Sequence, residues 1–171
     1  EAAEYMLRDS SQRLTFSSYL SAESGTSFDL ILCAYTVSEL PYGAATLAAA
    51  ALLWERLAPN GILVFIEPGT PDGFASIRTI RNLLLAADKE ADKEECQILA
   101  PCTHKGSCPM ERFPNLQRGK NDDDDDDDDE LATKKGYCSF VHSMPPREGR
   151  TKSEKFSYLV MQKRVKRITR R

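Results

Sequence analysis

The sequence predicts an α/β fold built on a parallel sheet, and three observations carry that reading. Two short apolar runs stand at 28–34, with one acid, Asp29, near its start, and at 62–66, with the length and the hydrophobicity of buried parallel strands. An apolar helical stretch joins them. A second helical stretch, apolar along one face, follows the second run. Strand, helix, strand, helix at this spacing means parallel strands linked by right-handed crossovers.

Taken in order, Glu1 to Arg8 reads as helix, since Ala, Glu, Met and Leu all favour one. Phe28-Asp29-Leu30-Ile31-Leu32-Cys33-Ala34 is the first strand, and Tyr35 to Pro41 the loop after it. Gly43 to Leu57 is a helix, apolar nearly all round and so expected to be well covered, ended by the turn residues Pro59-Asn60-Gly61. Ile62-Leu63-Val64-Phe65-Ile66 is the clearest strand, and Glu67 to Pro71 breaks it. Asp72 is placed to cap a helix reaching about Ala87, whose apolar face is Phe74, Ile77, Ile80, Leu84 and Ala87. Ala86 to Glu95 is charged and ends that helix. A cysteine segment, Cys96 to Cys108, reads as an irregular loop, and a polar insertion runs from Arg112 to Lys135. Tyr137 to His142 and Phe156 to Gln162 are further strand candidates, with Pro145 to Lys155 a loop between them.

The bulk properties are those of a soluble domain: 171 residues, 41% apolar and 29% charged. No stretch approaches the roughly 20 apolar residues that cross a bilayer, so no membrane partner is expected. The chain lacks a starting Met and reads as beginning inside a fold, with any targeting segment expected upstream.

The formal charge of −3 conceals two opposed segments. Eight aspartates, Asp122 to Asp129, are followed by Glu130, and without these nine acids the chain would carry +6. A run of like charges repels itself and is expected to stay unpacked. From Arg147 to Arg171 there are ten Lys and Arg against two Glu. The tail residues Lys163, Arg164, Lys166, Arg167, Arg170 and Arg171 form the most basic stretch. Such an arm suits RNA phosphates, and a solvated tail is the other reading.

Of the five cysteines, Cys33 lies in an apolar strand and reads as a small core hydrophobe. The other four follow the pattern Cys96-x5-Cys102-x5-Cys108, then Cys138 after 29 intervening residues. Iron–sulfur clusters take soft thiolate ligands, usually four cysteines. Three ligands on one loop and a fourth from a distant strand would tie that loop to the sheet. The spacing is wider than the CxxC knuckles of zinc ribbons and contains no CxxC redox pair. Zinc on the same four thiolates, disulfides and unrelated free thiols remain alternatives. His104 stands between two of the cysteines, either as an alternative ligand or hydrogen-bonding the loop.

A series of short motifs carries a family likeness. Cys33-Ala34-Tyr35-Thr36-Val37-Ser38-Glu39-Leu40-Pro41 comes first, then a helix bearing Leu53-Trp54 and a strand ending Ile66-Glu67-Pro68-Gly69-Thr70-Pro71. Ala100-Pro101-Cys102-x-His104, Cys108-Pro109 and Cys138-Ser139-Phe140 follow, and Glu154-Lys155-Phe156-Ser157-Tyr158-Leu159-Val160 closes the series. In this order, from about Phe28 to Lys163, the chain resembles the methyltransferase-like protein family of the mitochondrial small ribosomal subunit.

The resemblance implies the C-terminal part of a Rossmann-like class I methyltransferase fold with a cysteine-rich metal-binding insertion. It implies a [4Fe–4S] cluster on Cys96, Cys102, Cys108 and Cys138, with zinc as the alternative. It implies small-subunit ribosomal RNA and ribosomal proteins as partners, a location in the mitochondrial matrix, and a role in building or stabilising that subunit. The expected organisation is a Rossmann-like core at 1–95, the metal loop and acidic insertion at 96–136, the final strands at 137–163 and a basic tail at 164–171.

Departures stand beside the likeness. Ser139 replaces the family's usual His after the last cysteine, and the aspartate run is not a family feature. No G-x-G occurs in these residues, so the first strand and its glycine-rich cofactor turn are expected to be missing from them. Binding of S-adenosylmethionine is therefore expected only if an upstream segment, or another chain completing the sheet, supplies that turn. Two functions of different class follow: an RNA-docking scaffold of the small subunit, and an S-adenosylmethionine-dependent RNA methyltransferase. No catalytic residue is assigned. Ser38 and Glu39 are read chiefly as caps of the next helix, with Glu39 as a possible partner of a methyl acceptor. A zinc-dependent regulator unrelated to ribosomes is a third reading.

Overall fold

The computed structural model describes residues 25, 27–41, 43–91, 94–112, 137–147 and 150–165. These form β1 (Phe28–Ala34), α1 (Ala44–Glu55), β2 (Leu57–Pro68), α2 (Pro71–Glu90), β3 (Cys96–Ala100), β4 (Phe140–Arg147) and β5 (Arg150–Lys163). Short 3-10 turns stand at Val37–Glu39 and Pro109–Arg112. The helix expected at Glu1 to Arg8, the aspartate run and Lys166 to Arg171 lie outside the described residues.

The expected strand pair is present. β1 and β2 are adjacent and parallel, with Leu32 opposite Val64 and Ala34 opposite Ile66, and α1 links them. Beyond β2 the sheet is mixed rather than parallel throughout. β5 runs antiparallel to β2, and β3 antiparallel to β5, in the order β1-β2-β5-β3. β3 thus points the same way as β1 and β2. This mixed sheet, with its parallel β1–α1–β2 unit, is that of a Rossmann-like methyltransferase fold.

Both helices pack on one face. Leu63 and Phe65 of β2, Leu159 and Met161 of β5, and Cys96 and Ile98 of β3 meet Ile77, Ile80 and Leu84 of α2 and Ala50 of α1 in one buried cluster. Right-handed crossovers that step in the same direction across a sheet leave their helices on the same side. The opposite face is apolar too, but no described helix covers it. Leu30 and Leu32 there are 64% and 61% exposed. The expectation that β1 is a buried strand is thus corrected: β1 is the edge strand of the described sheet. α1 is likewise less covered than its composition suggests, with only Thr46 and Ala50 buried.

Several boundaries differ from the expected ones for local reasons. Pro59-Asn60-Gly61 does not separate α1 from β2. It forms an irregularity inside β2, where the register with β1 shifts and Asn60 takes a φ of 65°, a left-handed conformation that Asn tolerates well. Thr70, not Asp72, caps α2: its Oγ1 accepts from the Gly73 amide at 3.1 Å, with Pro71 opening the helix. Asp72 sits in the first turn, where its charge suits the helix dipole. Gly73 is required because a Cβ there would run into the Pro68 carbonyl. β3 occupies residues read as loop. The loop expected at Pro145 to Lys155 is mostly strand, since β4 reaches Arg147 and β5 begins at Arg150.

One consequence of the pairing positions the candidate site. β2 lies along one edge of β5, and β3 and β4 share the other, end to end. β3 pairs with Val160 to Lys163 and β4 with Arg150 to Phe156. Ser157, Tyr158 and Leu159 have no strand partner on that edge.

Candidate functional site

The gap on β5 is where the cysteine segment arrives. Cys102 follows the end of β3 by two residues, and Cys138 precedes the start of β4 by two. Ser157 Oγ donates to the Cys138 carbonyl at 2.8 Å, fixing that arm to the gap. Above the gap lies a cavity of about 190 Å³ with Cys102, Cys108 and Cys138 in its lining. β5 contributes Ser157, Tyr158 and Leu159 as its floor, and α2 contributes Phe74, Ile77, Arg78 and Arg81 as its wall.

Three of the four expected ligands therefore open on one cavity. Burial pushes the Cys138 thiol above its ordinary pKa, and the neighbouring Cys102 and Cys108 push it further. Cys96 is not among the lining residues. It is 1% exposed at the start of β3, not on a loop, because its strand alternates inward at Cys96 and Ile98. Ile98 lines the cavity, so Cys96 lies on the same face of the sheet. Burial and then Asp88 push the Cys96 thiol up to about 12, against the opposing pull of Lys105 and Arg81. Among the described residues, no three His, Cys, Asp or Glu side chains stand as a group that could hold one ion. The fit to a metal is therefore one of donor chemistry and placement: four soft thiols on one side of the sheet, three around a single, mostly apolar hollow.

Protein contacts hold the segment as well. Arg81 is 7% exposed, and its Nη2 donates to the carbonyls of His104 at 2.8 Å and Gly106 at 2.7 Å. Asp88 Oδ1 accepts from the Glu95 amide at 2.7 Å and the Cys96 amide at 3.0 Å, while Oδ2 pairs with Lys105 at 3.2 Å. The His104 side chain is exposed and outside the cavity lining. Neither Arg81 nor Asp88 was singled out from sequence, yet a signal exists. Ile77, Arg81, Leu84 and Asp88 recur at helical spacing, so both polar groups lie on the buried stripe of α2.

The loop after β1 is organised by a second overlooked residue. Glu67 is fully buried at the end of β2, and its two carboxylate oxygens accept from the Val37 amide at 2.9 Å and the Ser38 amide at 3.2 Å. Period-two alternation with Leu63 and Phe65 marks it as inward-facing. Ser38 and Glu39 do not cap α1: its N-cap is Gly43, without a side-chain cap. Tyr35 takes a φ of 53°, and its hydroxyl donates to Glu154 at 3.0 Å.

Of the basic tail, Lys163 and Arg164 fall within the described residues. The Lys163 ammonium donates to the Trp54 and Leu57 carbonyls, both at 3.2 Å, and lies 5.9 Å from the centre of the Trp54 ring. It closes the end of α1, so the fold already engages it. Arg164 is exposed, and its backbone amide donates to the Glu95 carbonyl at 2.6 Å. Among the described residues, no helix is long and apolar enough to cross a membrane.

The family described as mitochondrial small ribosomal subunit Rsm22 matches the chain over residues 3–170. The chain belongs to this family. Within the Rsm22 family's reach, it is 29% identical over 97 residues to a human protein named ribosome assembly protein METTL17, mitochondrial, covering 56% of this chain and 21% of that protein. It is 30% identical over 129 residues to Rsm22-cox11 tandem proteins 2 and 1, mitochondrial, of Schizosaccharomyces pombe, covering 67% of this chain and 15% of each. The chain thus spans about a fifth or less of the length of these Rsm22-type relatives.

Proposed function

We propose that this chain is part of a protein that assembles or stabilises the mitochondrial small ribosomal subunit, acting as a methyltransferase-like scaffold that docks on ribosomal RNA and carries a structural iron–sulfur cluster. The mitochondrial location follows from the family and from the names of its relatives. The observation that carries the metal half is the meeting of Cys102, Cys108 and Cys138 on one cavity at the gap in β5. Cys96, on the same face two residues before a lining residue, is the fourth donor of the proposal.

The division of labour follows from the chain's own contacts. Ser157 anchors the Cys138 arm, and α2 anchors the stretch from Glu95 to Gly106 through Asp88 and Arg81. The apolar side chains around the hollow exclude water and so protect thiolate–metal bonds from exchange. When bound, a [4Fe–4S] group would supply bonds that tie the β3 end, the loop and the β4 start into one unit. Arg164, exposed just beyond β5, and the Lys and Arg that follow it in the sequence would meet RNA phosphates, a contact without base specificity.

The test is a visible absorption spectrum of the anaerobically purified protein beside its metal content, with sedimentation through a sucrose gradient of mitochondrial extract. Broad absorption near 400 nm, iron and sulfide in equal amounts, and co-sedimentation with the small subunit are the expected results. Zinc without iron would replace the cluster by a zinc site. Migration apart from the subunit would overturn the ribosomal reading.

A further inference from the structure

We propose that Arg81 is a positioning residue for the candidate metal centre, folding the loop between Cys102 and Cys108 from α2 before any metal binds. The metal part of this inference rests on the function proposed above; the folding of the loop does not.

The geometry is specific. One nitrogen of a guanidinium that is 7% exposed donates to two carbonyls, His104 at 2.8 Å and Gly106 at 2.7 Å. Both acceptors lie among the five residues that separate Cys102 from Cys108. Arg81 and both cysteines line the same cavity. An arginine cannot shed its proton, so a buried guanidinium needs carbonyl or carboxylate partners, and this one finds two in the loop. Hydrogen bonds of this charged kind outweigh neutral ones. Seven residues on, about two turns along the same face, Asp88 accepts from the Cys96 amide at 3.0 Å. The two ends of the cysteine segment are therefore fastened to one rigid helix.

A different role for Arg81 is simple charge compensation beside a set of thiolates. The two differ in what lysine can do. Arg81→Lys keeps the positive charge but gives up the planar fork. A compensating charge tolerates this change, and a clamp does not. Arg78 supplies a control: it lines the same cavity, with its guanidinium 5.9 Å from the Phe74 ring centre.

The experiment compares the wild-type chain with Arg81→Lys, Arg81→Gln and Arg78→Gln. Amide exchange over 102–108 is measured in the reduced, metal-free proteins, and thiolate-to-metal absorption is followed during titration with Co²⁺. The expected result is exchange at least tenfold faster in both Arg81 variants, with Arg78→Gln like wild type. Cobalt should bind the Arg81 variants at least fivefold more weakly. Wild-type exchange as fast as in Arg81→Gln would overturn the proposal, and so would an Arg81→Lys protein indistinguishable from wild type. Should Arg81→Gln fail to fold, Arg81→Lys still decides between position and charge. A wild-type chain that binds neither cobalt nor iron removes the metal reading, while the exchange data judge the clamp separately.

Discussion

Replacing Glu67 by Gln should cost the fold a measurable and local amount. The two oxygens of this fully buried carboxylate each accept one backbone N–H, from Val37 at 2.9 Å and Ser38 at 3.2 Å. A Gln side chain of nearly the same volume can accept one of these bonds with its carbonyl. Its NH2 group then faces the other amide, donor against donor. One hydrogen bond to a carboxylate is lost and a buried N–H is left without an acceptor, which together cost about 1.5–3 kcal/mol. Glu67→Ala loses both bonds and opens a void, for roughly 3–5 kcal/mol. The assay is urea unfolding followed by the emission of Trp54, the only tryptophan, which packs against the core. With a slope of about 1–3 kcal/mol per molar urea, Glu67→Gln should lower the midpoint by about 1 M. Amide exchange at Val37 and Ser38 should rise with it. A Glu67→Gln protein within about 0.5 kcal/mol of wild type would refute the reasoning.

Three further outcomes are expected. Cys33→Ala should leave metal content unchanged and cost only about 1 kcal/mol of packing, since Cys33 is half-buried against the core and absent from the thiol cavity; loss of metal by elemental analysis would place Cys33 in the site. A variant lacking Asp122 to Asp129 should keep its circular dichroism, its melting temperature and its sedimentation with the small subunit, and failure of any of these would make the run a contact. Replacing Arg164, Lys166, Arg167, Arg170 and Arg171 by Gln should weaken RNA binding and flatten its dependence on salt, because fewer counterions are released; an unchanged salt slope would show a free tail.

How much of this was legible in the sequence depends on where each signal lies. The β1–α1–β2 unit was plain, since two largely apolar runs around one crossover leave few topologies. β3 was not, because Cys96-Gln97-Ile98-Leu99-Ala100 is only five residues long and opens with a cysteine that invites a different reading. The β4–β5 hairpin was shortened by Pro145 and Pro146, which are tolerated in β4 because, among the described residues, it pairs with β5 alone. Spacing and likeness singled out four cysteines, of which Cys102, Cys108 and Cys138 line one cavity. The contacts that hold their segment were hidden, since a buried Arg or Asp on an amphipathic helix resembles the edge of its polar face. Sequence hydrophobicity also overstated the burial of β1, because it reports what a residue would prefer to touch and not what is there to touch it.

Because β3 and β4 take turns along the same edge of β5, the chain leaves the sheet after Ala100, opposite Val160, and returns at Phe140, opposite Phe156. Cys108 and Cys138, with 29 residues between them in sequence, line the same cavity. What lies between them is attached at its neck. Lengthening a segment whose ends are already pinned adds only the slowly growing entropy of a larger loop, about 0.6 kcal/mol per doubling. Removing the eight-aspartate run should therefore leave the register of β3, β4 and β5 unchanged. Residues added between Cys108 and Cys138 would then alter the length of that connection and leave the pairing of β5 as it is.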